Sequence, residues 1–175
     1  TELFGDRGSI LGNPELIHET SDNFDAGFQA RFLKTGFSFI DSITFSYSYF
    51  NNTIKDIIIF IHNSQNTIIA QNIGKANIFG HEFTLQCRLF KKIFLKGNYT
   101  LQFPIDKSEI PYYTENFLPH RPIHELFASI KYKFKKFSLT YEFIYSGANF
   151  RDRTNSEFYF IEERMYHNAI AELVP

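Results

Sequence analysis

The sequence has no tryptophan, one cysteine and one methionine in 175 residues. A lone cysteine, Cys87, excludes an internal disulfide framework and a thiolate metal cluster. Lysine and arginine (18) nearly balance aspartate and glutamate (19), so the basic excess of a nucleic-acid binder is missing and no nucleic-acid partner is expected. No apolar run reaches the ~18 residues of a transmembrane helix. The strongest, Ile54 to Ile61, is broken early by Lys55 and Asp56. Thr1-Glu2-Leu3-Phe4 has neither the basic start nor the apolar core of a secretory leader. Among His18, His62, His81, His120, His124 and His167, only His120 and His124 have metal-ligand spacing, four apart. That spacing serves a metal on a helix, and Pro122 lies between them. Serines are spread as polar filler and no nucleophile–base set stands out. The sequence therefore reads as no enzyme, with no metal site and no cofactor.

Phenylalanine is abundant (22) and tyrosine common (10), too aromatic a composition for disorder. The clearest pattern is a hairpin from Lys75 to Phe103. Asn77, Phe79, His81, Phe83, Leu85, Cys87 and Leu89 alternate with Ala76, Ile78, Gly80, Glu82, Thr84, Gln86 and Arg88. The first set is apolar from Phe79 on, with His81 the exception; the second is polar or small, with Ile78 the exception. After a tight turn at Lys91-Lys92, Ile93, Leu95, Gly97, Tyr99, Leu101 and Phe103 alternate with Phe94, Lys96, Asn98, Thr100 and Gln102. A period of two is the period of a strand. Each arm exceeds the usual 5–6 residues of a soluble strand and matches the roughly 9–11 residues of a tilted membrane strand. One oily face and one watery face at that length predict an antiparallel, up-and-down transmembrane β-barrel.

The rest of the chain repeats the pattern. Residues Thr1 to Asn23 read as loop. Strands are expected over about Asn23 to Phe32, Phe37 to Phe50, Thr67 to Ile73, Ile123 to Phe134, Phe137 to Tyr145 and Phe158 to Leu173. Asn51-Asn52-Thr53 reads as a turn or a bulge, and Ile57 to Ile61 gives no facing. The turns at Lys34-Thr35-Gly36, Lys91-Lys92 and Lys135-Lys136 are short; Asn63-Ser64-Gln65-Asn66 is another turn. The loops Pro104 to Pro122 and Gly147 to Ser156 are long. Short turns belong on the periplasmic side and long loops outside. Phe32, Phe37, Phe90, Phe134 and Phe137 flank the short turns as an interfacial girdle would. About eight or nine strands result. They suffice for a small closed barrel with a narrow interior, in which Glu82, Arg88, Lys96, Lys131 and Glu142 must pair, or for part of a wide lumen around a plug. A soluble β-barrel is a third reading, disfavoured because several strands share one length and one polar parity.

Three segments carry a resemblance. Gly12-Asn13-Pro14-Glu15-Leu16, with Glu19-Thr20-Ser21-Asp22-Asn23-Phe24-Asp25-Ala26-Gly27 after it, resembles a segment of TonB-dependent outer-membrane receptors, although His18 stands where proline is usual. Glu2-Leu3-Phe4-Gly5 is similar to the stretch before it. Asn72-Ile73-Gly74-Lys75-Ala76-Asn77-Ile78-Phe79-Gly80-His81-Glu82 is similar to the family's Asn-x-Gly-x-Ala-x-x-x-Gly-x-Glu segment, and Leu118-Pro119-His120-Arg121-Pro122-Ile123-His124 to its Leu-Pro-x-Arg-Pro-x-His segment. The resemblance implies that residues 1–175 are one partial outer-membrane barrel domain without a plug, from the later part of a larger barrel of about 22 strands. The missing leader agrees, since it places the true N-terminus upstream. The implied partners are outer-membrane lipid, the remaining strands and plug, the TonB complex contacting the absent plug's TonB box, and a small-molecule metal chelate. The implied role is uptake of a scarce ligand such as a ferric siderophore in the bacterial outer membrane. The alternative is a small self-contained barrel acting as a passive pore.

Ligand capture falls to the long loops. Tyr112, Tyr113, Glu115, His120, Arg121, Arg151 and Arg153 combine aromatic faces with charge. Such a set suits a bulky anionic chelate through cation–π and charge-assisted contacts. No histidine occurs in Thr1 to Leu11, where the haem receptors of the family carry one, so haem is not expected.

Overall fold

The computed structural model describes residues 10–33, 38–62 and 67–173. The turns expected at Lys34-Thr35-Gly36 and Asn63-Ser64-Gln65-Asn66, the girdle residue Phe37 and the stretch Glu2-Leu3-Phe4-Gly5 lie outside them. The described elements are β1 (Ile10–Leu11), β2 (Thr20–Leu33), β3 (Ile40–Lys55), β4 (Ile58–His62), β5 (Ile68–Asn72), β6 (Lys75–Leu89), β7 (Ile93–Asp106), β8 (His124–Phe134), β9 (Phe137–Ser146), β10 (Asn149–Phe150), β11 (Phe160–Ile161) and β12 (Arg164–Leu173), with one 3₁₀ turn at Glu157–Tyr159. Seven strands make one antiparallel sheet in the order β12-β9-β8-β7-β6-β3-β2. Each is 10–16 residues long, the membrane length that the alternation requires. Among the described residues β2 and β12 do not pair with each other, so the wall is an open, partial barrel.

The sheet differs from the sequence reading in four places. β2 begins at Thr20, inside the expected loop, because Thr20, Ser21 and Asp22 register against Lys55, Ile54 and Thr53. β3 runs through Asn51-Asn52-Thr53 to Lys55 in unbroken register with β6, so that segment is neither turn nor bulge. The runs around Ile57 and Thr67 are not wall strands. They form β4 and β5, a hairpin joined by β1 in a separate three-stranded sheet. At the end of the chain, Phe158 and Tyr159 lie in the 3₁₀ turn and β12 starts only at Arg164.

The register fixes both faces. Phe28, Tyr47, Phe83, Tyr99, Leu126, Tyr145 and Met165 lie in one row across all seven strands, and Phe32, Phe90, Phe134 and Phe137 stand exposed near the short turns. This is the lipid face. Its three histidines are paired within the wall. Tyr47 pairs with His81 (Oη to Nδ1, 2.9 Å), Tyr99 with His124 (2.8 Å) and Tyr141 with His167 (2.6 Å), each across a strand pair. That accounts for the misfit of His81 with its apolar neighbours: a polar group facing hydrocarbon is tolerated when another side chain satisfies it.

Near the long loops the polarity of the two faces inverts. On the outer side Asn77 donates to Asn51 (2.6 Å) and Thr53 (3.2 Å). On the lumen side Ile54, Ala76 and Ile78 are buried with Ile57, Ile73 and Leu118, and Phe50, Ile59 and Ile61 pack against them. The wall has left the bilayer there, so water takes the outside while the β4–β5 hairpin folds over the inside. Ile78, the exception in the polar set, belongs to this core. Gly80 lies under the Phe50 ring. A Cβ there would come within 2.9 Å of that ring and would collide with the Leu101 carbonyl.

Lower on the lumen face, the charges that a narrow closed barrel would have to pair across its interior find partners along the sheet instead. Lys131 pairs with Glu172 of β12 (2.7 Å), Ser48 donates to Glu82 (3.3 Å) and Asn168 to Glu142 (3.4 Å). Arg88 lies over the Phe94 ring and Lys96 over Phe127. Among the described residues each of these charges uses neighbours on its own sheet.

Placing Leu85 on the lipid face near mid-height leads to a test. Leu85→Lys should destabilise the bilayer-inserted protein by about 2–4 kcal/mol, and Thr84→Lys, one residue away on the lumen face, by less than about 1 kcal/mol. Urea unfolding from lipid vesicles reads both. Since Leu85 is already 50% exposed without lipid, equal costs would remove the membrane assignment of this face.

Candidate functional site

All long connections leave the same end of the sheet, and three of them close over it. The β4–β5 hairpin is fastened first. Asn13 donates to the Ala70 carbonyl (2.9 Å) and accepts from the Glu15 N–H (3.0 Å). Asn72 accepts from the Ile17 N–H (3.0 Å) and donates to the carbonyls of Ile17 (3.1 Å) and Asp56 (2.6 Å), while Glu19 accepts from the Ile58 N–H (3.0 Å). The chain then turns at Gly74, whose φ of +89° suits glycine. The three resembling segments therefore meet in space: Asn13 of the first holds the strand that ends at Asn72 of the second, and Leu118 of the third seals the core around Ala76.

Loops 107–123 and 147–163 are joined by a buried ion pair. Arg153 donates through Nε (3.0 Å) and Nη2 (2.7 Å) to Oδ2 of Asp106, and through Nη2 to the Ser108 hydroxyl (3.0 Å). The side chains of Arg153 and Asp106 are only 10% and 1% exposed. The other carboxylate oxygen of Asp106 accepts from the Ser108 N–H (2.9 Å), and Tyr113 stacks on the guanidinium at 4.1 Å. Asn116 donates to the Arg153 carbonyl (2.9 Å), Asn155 bonds both backbone groups of Phe117 (2.7 and 2.9 Å), and the Thr114 hydroxyl donates to the Ser108 carbonyl. The His120 N–H reaches the Phe150 carbonyl (2.8 Å). The two loops are one body.

The structure divides the seven candidate residues. Tyr113 and Arg153 are brought into contact and committed to the latch. Glu115 holds Lys107 through both oxygens (2.7 and 2.8 Å). Tyr112 (84% exposed), His120, Arg121 and Arg151 face solvent on the latched loops. Phe158, also on the loop surface and 85% exposed, belongs with them and was not expected, because it reads as the start of a strand. Its signal is the aromatic run Phe158-Tyr159-Phe160 beside loop residues. Asp106 was missed too. It is an acidic residue on a parity otherwise filled at that end by Ala76, Ile78 and Pro104. Among the described residues no group of three or more His, Cys, Asp or Glu is placed to hold a metal ion.

Breaking the latch from one side leaves a charge without its partner. Arg153→Ala should cost about 3–5 kcal/mol by stranding Asp106, and adding Asp106→Leu should recover most of it. Thermal unfolding and protease sensitivity of residues 147–163 would show this. A double variant no better than the single one would refute the pairing as the source of the loss.

A profile described as "TonB dependent receptor-like, beta-barrel" matches residues 1–168. No curated sequence gives a significant match. Among solved structures, the copper transporter OprC superposes with a TM-score of 0.67 at 16% identity, covering 90% of this chain and 23% of that one. The ferric yersiniabactin uptake receptor FyuA of Yersinia pestis gives 0.63 at 18% identity, with coverage of 87% and 22%. The siderophore receptor PirA of Acinetobacter baumannii gives 0.61 at 19% identity, with coverage of 91% and 26%. The chain spans about a quarter of the length of each of these three structures. The family is one of transport receptors and not of enzymes. Strand length, face alternation, the convergence of three segments at the loop end and the profile match agree: this chain belongs to the TonB-dependent receptor β-barrel family.

Proposed function

We propose that residues 1–175 are one partial barrel domain, part of the wall of a bacterial outer-membrane importer, and that its latched loops capture a metal chelate for energised uptake. The carrying observation is the latch itself. Arg153 and Asp106 fix two loops as a rigid platform, and Tyr112, Arg121 and Arg151 project from it into solvent. Rigid presentation of aromatic and guanidinium groups lowers the ordering cost of binding. Of the three structures compared above, one is a ferric yersiniabactin uptake receptor, one a siderophore receptor and one a copper transporter, which supports a metal-chelate cargo and favours a ferric siderophore. The plug and the TonB contact would come from other parts of the receptor. The passive-pore alternative needs a closed small barrel, whereas β2 and β12 remain unpaired with each other among the described residues.

The test uses the intact receptor that contains this chain. Ferric siderophores of catecholate, hydroxamate and mixed type, and a copper chelate, are assayed for binding and for uptake into cells. At least one should bind, and its uptake should stop when inner-membrane energy is dissipated; uptake that continues would favour the pore. Replacing Tyr112, Arg121 and Arg151 together with alanine should raise the Kd about tenfold or more without changing thermal stability. An unchanged Kd for every chelate would take the loops out of ligand capture.

A further inference from the structure

Charge gathers on the lumen face at the short-turn end. The register puts Arg31, Thr44, Gln86, Lys96 and Ser129 in one row across β2, β3, β6, β7 and β8. Ser42, Arg88, Phe94, Lys131 and Thr140 make the row beneath. These two rows line a concavity of about 650 Å³. Arg31, Arg88, Lys96 and Lys131 border it, and no carboxylate does. The acids of this end are engaged elsewhere. Asp41 accepts from the Lys91 N–H (2.5 Å), Glu142 from Asn168 (3.4 Å), and Glu172 from Lys131 (2.7 Å) and Ser138 (2.8 Å). Lys131 is thereby neutralised. Arg31, Arg88 and Lys96 have no acidic partner among the described residues.

Two of these three cations are held in place without being neutralised. The Arg88 guanidinium lies 5.2 Å from the centre of the Phe94 ring, and Lys96 Nζ lies 5.8 Å from that of Phe127. A ring positions a cation but leaves its N–H groups free to donate to an anion. Arg88 and Lys96 are diagonal neighbours on β6 and β7, about 7–8 Å apart at the backbone. An anion with two or more charged groups spans that gap. The Gln86 amide and the Thr44 and Ser129 hydroxyls stand among the cations as neutral donors. The volume is that of a small-molecule site, about 300–1,000 Å³, and guanidinium and ammonium groups without a carboxylate suit an oxyanion. We propose that Arg31, Arg88 and Lys96 form a second anion-binding station, on the inner part of the lumen wall, which takes the anionic groups of the metal chelate after it leaves the loops. Its place between the loops and the periplasmic end fits that order, and the identity of its ligand rests on the cargo reading given above.

The test reads Lys96 directly. The intact receptor in mild detergent is acetylated with an N-hydroxysuccinimide ester, and the modification of each lysine is followed by peptide mass spectrometry. Inorganic pyrophosphate, a trianionic ferric tris-catecholate and a neutral ferric tris-hydroxamate are added in turn. The two anions should slow acetylation of Lys96 about fivefold and leave Lys135, on the β8–β9 turn, unchanged; the neutral chelate should do neither. Arg31→Gln with Arg88→Gln should raise the half-protecting concentration about tenfold or more, and Arg31→Lys with Arg88→Lys should restore most of it. In cells, the Gln pair should slow uptake of an anionic chelate about tenfold without changing its Kd at the loops. Strand content by circular dichroism monitors folding. Equal protection in wild type and the Gln pair overturns the station. So does a Lys96 that reacts slowly with or without anions, since another part of the receptor then fills the space. Protection by pyrophosphate in a receptor whose loops bind no chelate would overturn the cargo reading and leave the anion site standing.

Discussion

A bilayer offers no water to backbone amides, so every N–H and C=O of a strand that crosses it must be met by the next strand. This requirement sets the rest of the structure. It makes the strands long and antiparallel, pairs each with its chain neighbour wherever a turn is short, and leaves side chains free only to choose a face. It reaches the side chains as well. A histidine on the oily face is tolerated with a tyrosine beside it, and the wall contains that pair three times. The same rule makes the sheet dependent on neighbours beyond β2 and β12, whose outer backbone groups pair with nothing among the described residues.

The wall was legible in the sequence because a period of two, sustained over ten or more residues, has one structural meaning. The hairpin from Lys75 to Phe103 needed only its last residues extended, to Asp106. What misled the reading was the point where the strands leave the membrane. From Phe50 to Ile61 and around Ile78, apolar side chains change sides, because loop residues instead of lipid cover the lumen face there. A pattern that switches phase within one strand looks like noise, a bulge or a turn until the covering hairpin is seen. Asn51-Asn52-Thr53, turn-like by composition, is a strand whose outer face has reached water.

The loop end drew all seven candidate residues, but their individual places in the structure were not legible from the sequence. Composition cannot separate an arginine that meets a ligand from one that holds two loops together. Arg151 and Arg153 are two apart and chemically alike; one is exposed and the other is buried on Asp106. Asp106 is separated from Arg153 by 47 residues, a partner that no local pattern reveals. The asparagines of the resembling segments are of the same kind. Asn13 and Asn72 act as cross-braces between the segment before β2 and the β4–β5 hairpin, a role visible only when residues 55 or more apart are brought together.

The span of the latch also orders events in assembly. Asp106 ends β7, but Arg153 follows β9, so the pair forms only after the β8–β9 hairpin has taken its place in the wall. Until then the carboxylate stays hydrated, since an unpaired charge is costly to bury. The seal over the lumen end therefore sets late, once the strands beneath it are in register. A loop closure of this separation is entropically slow compared with the two-residue turn between β8 and β9. The ion pair thus reports a finished wall: where a strand has slipped by one residue, Asp106 changes face and the loops cannot lock.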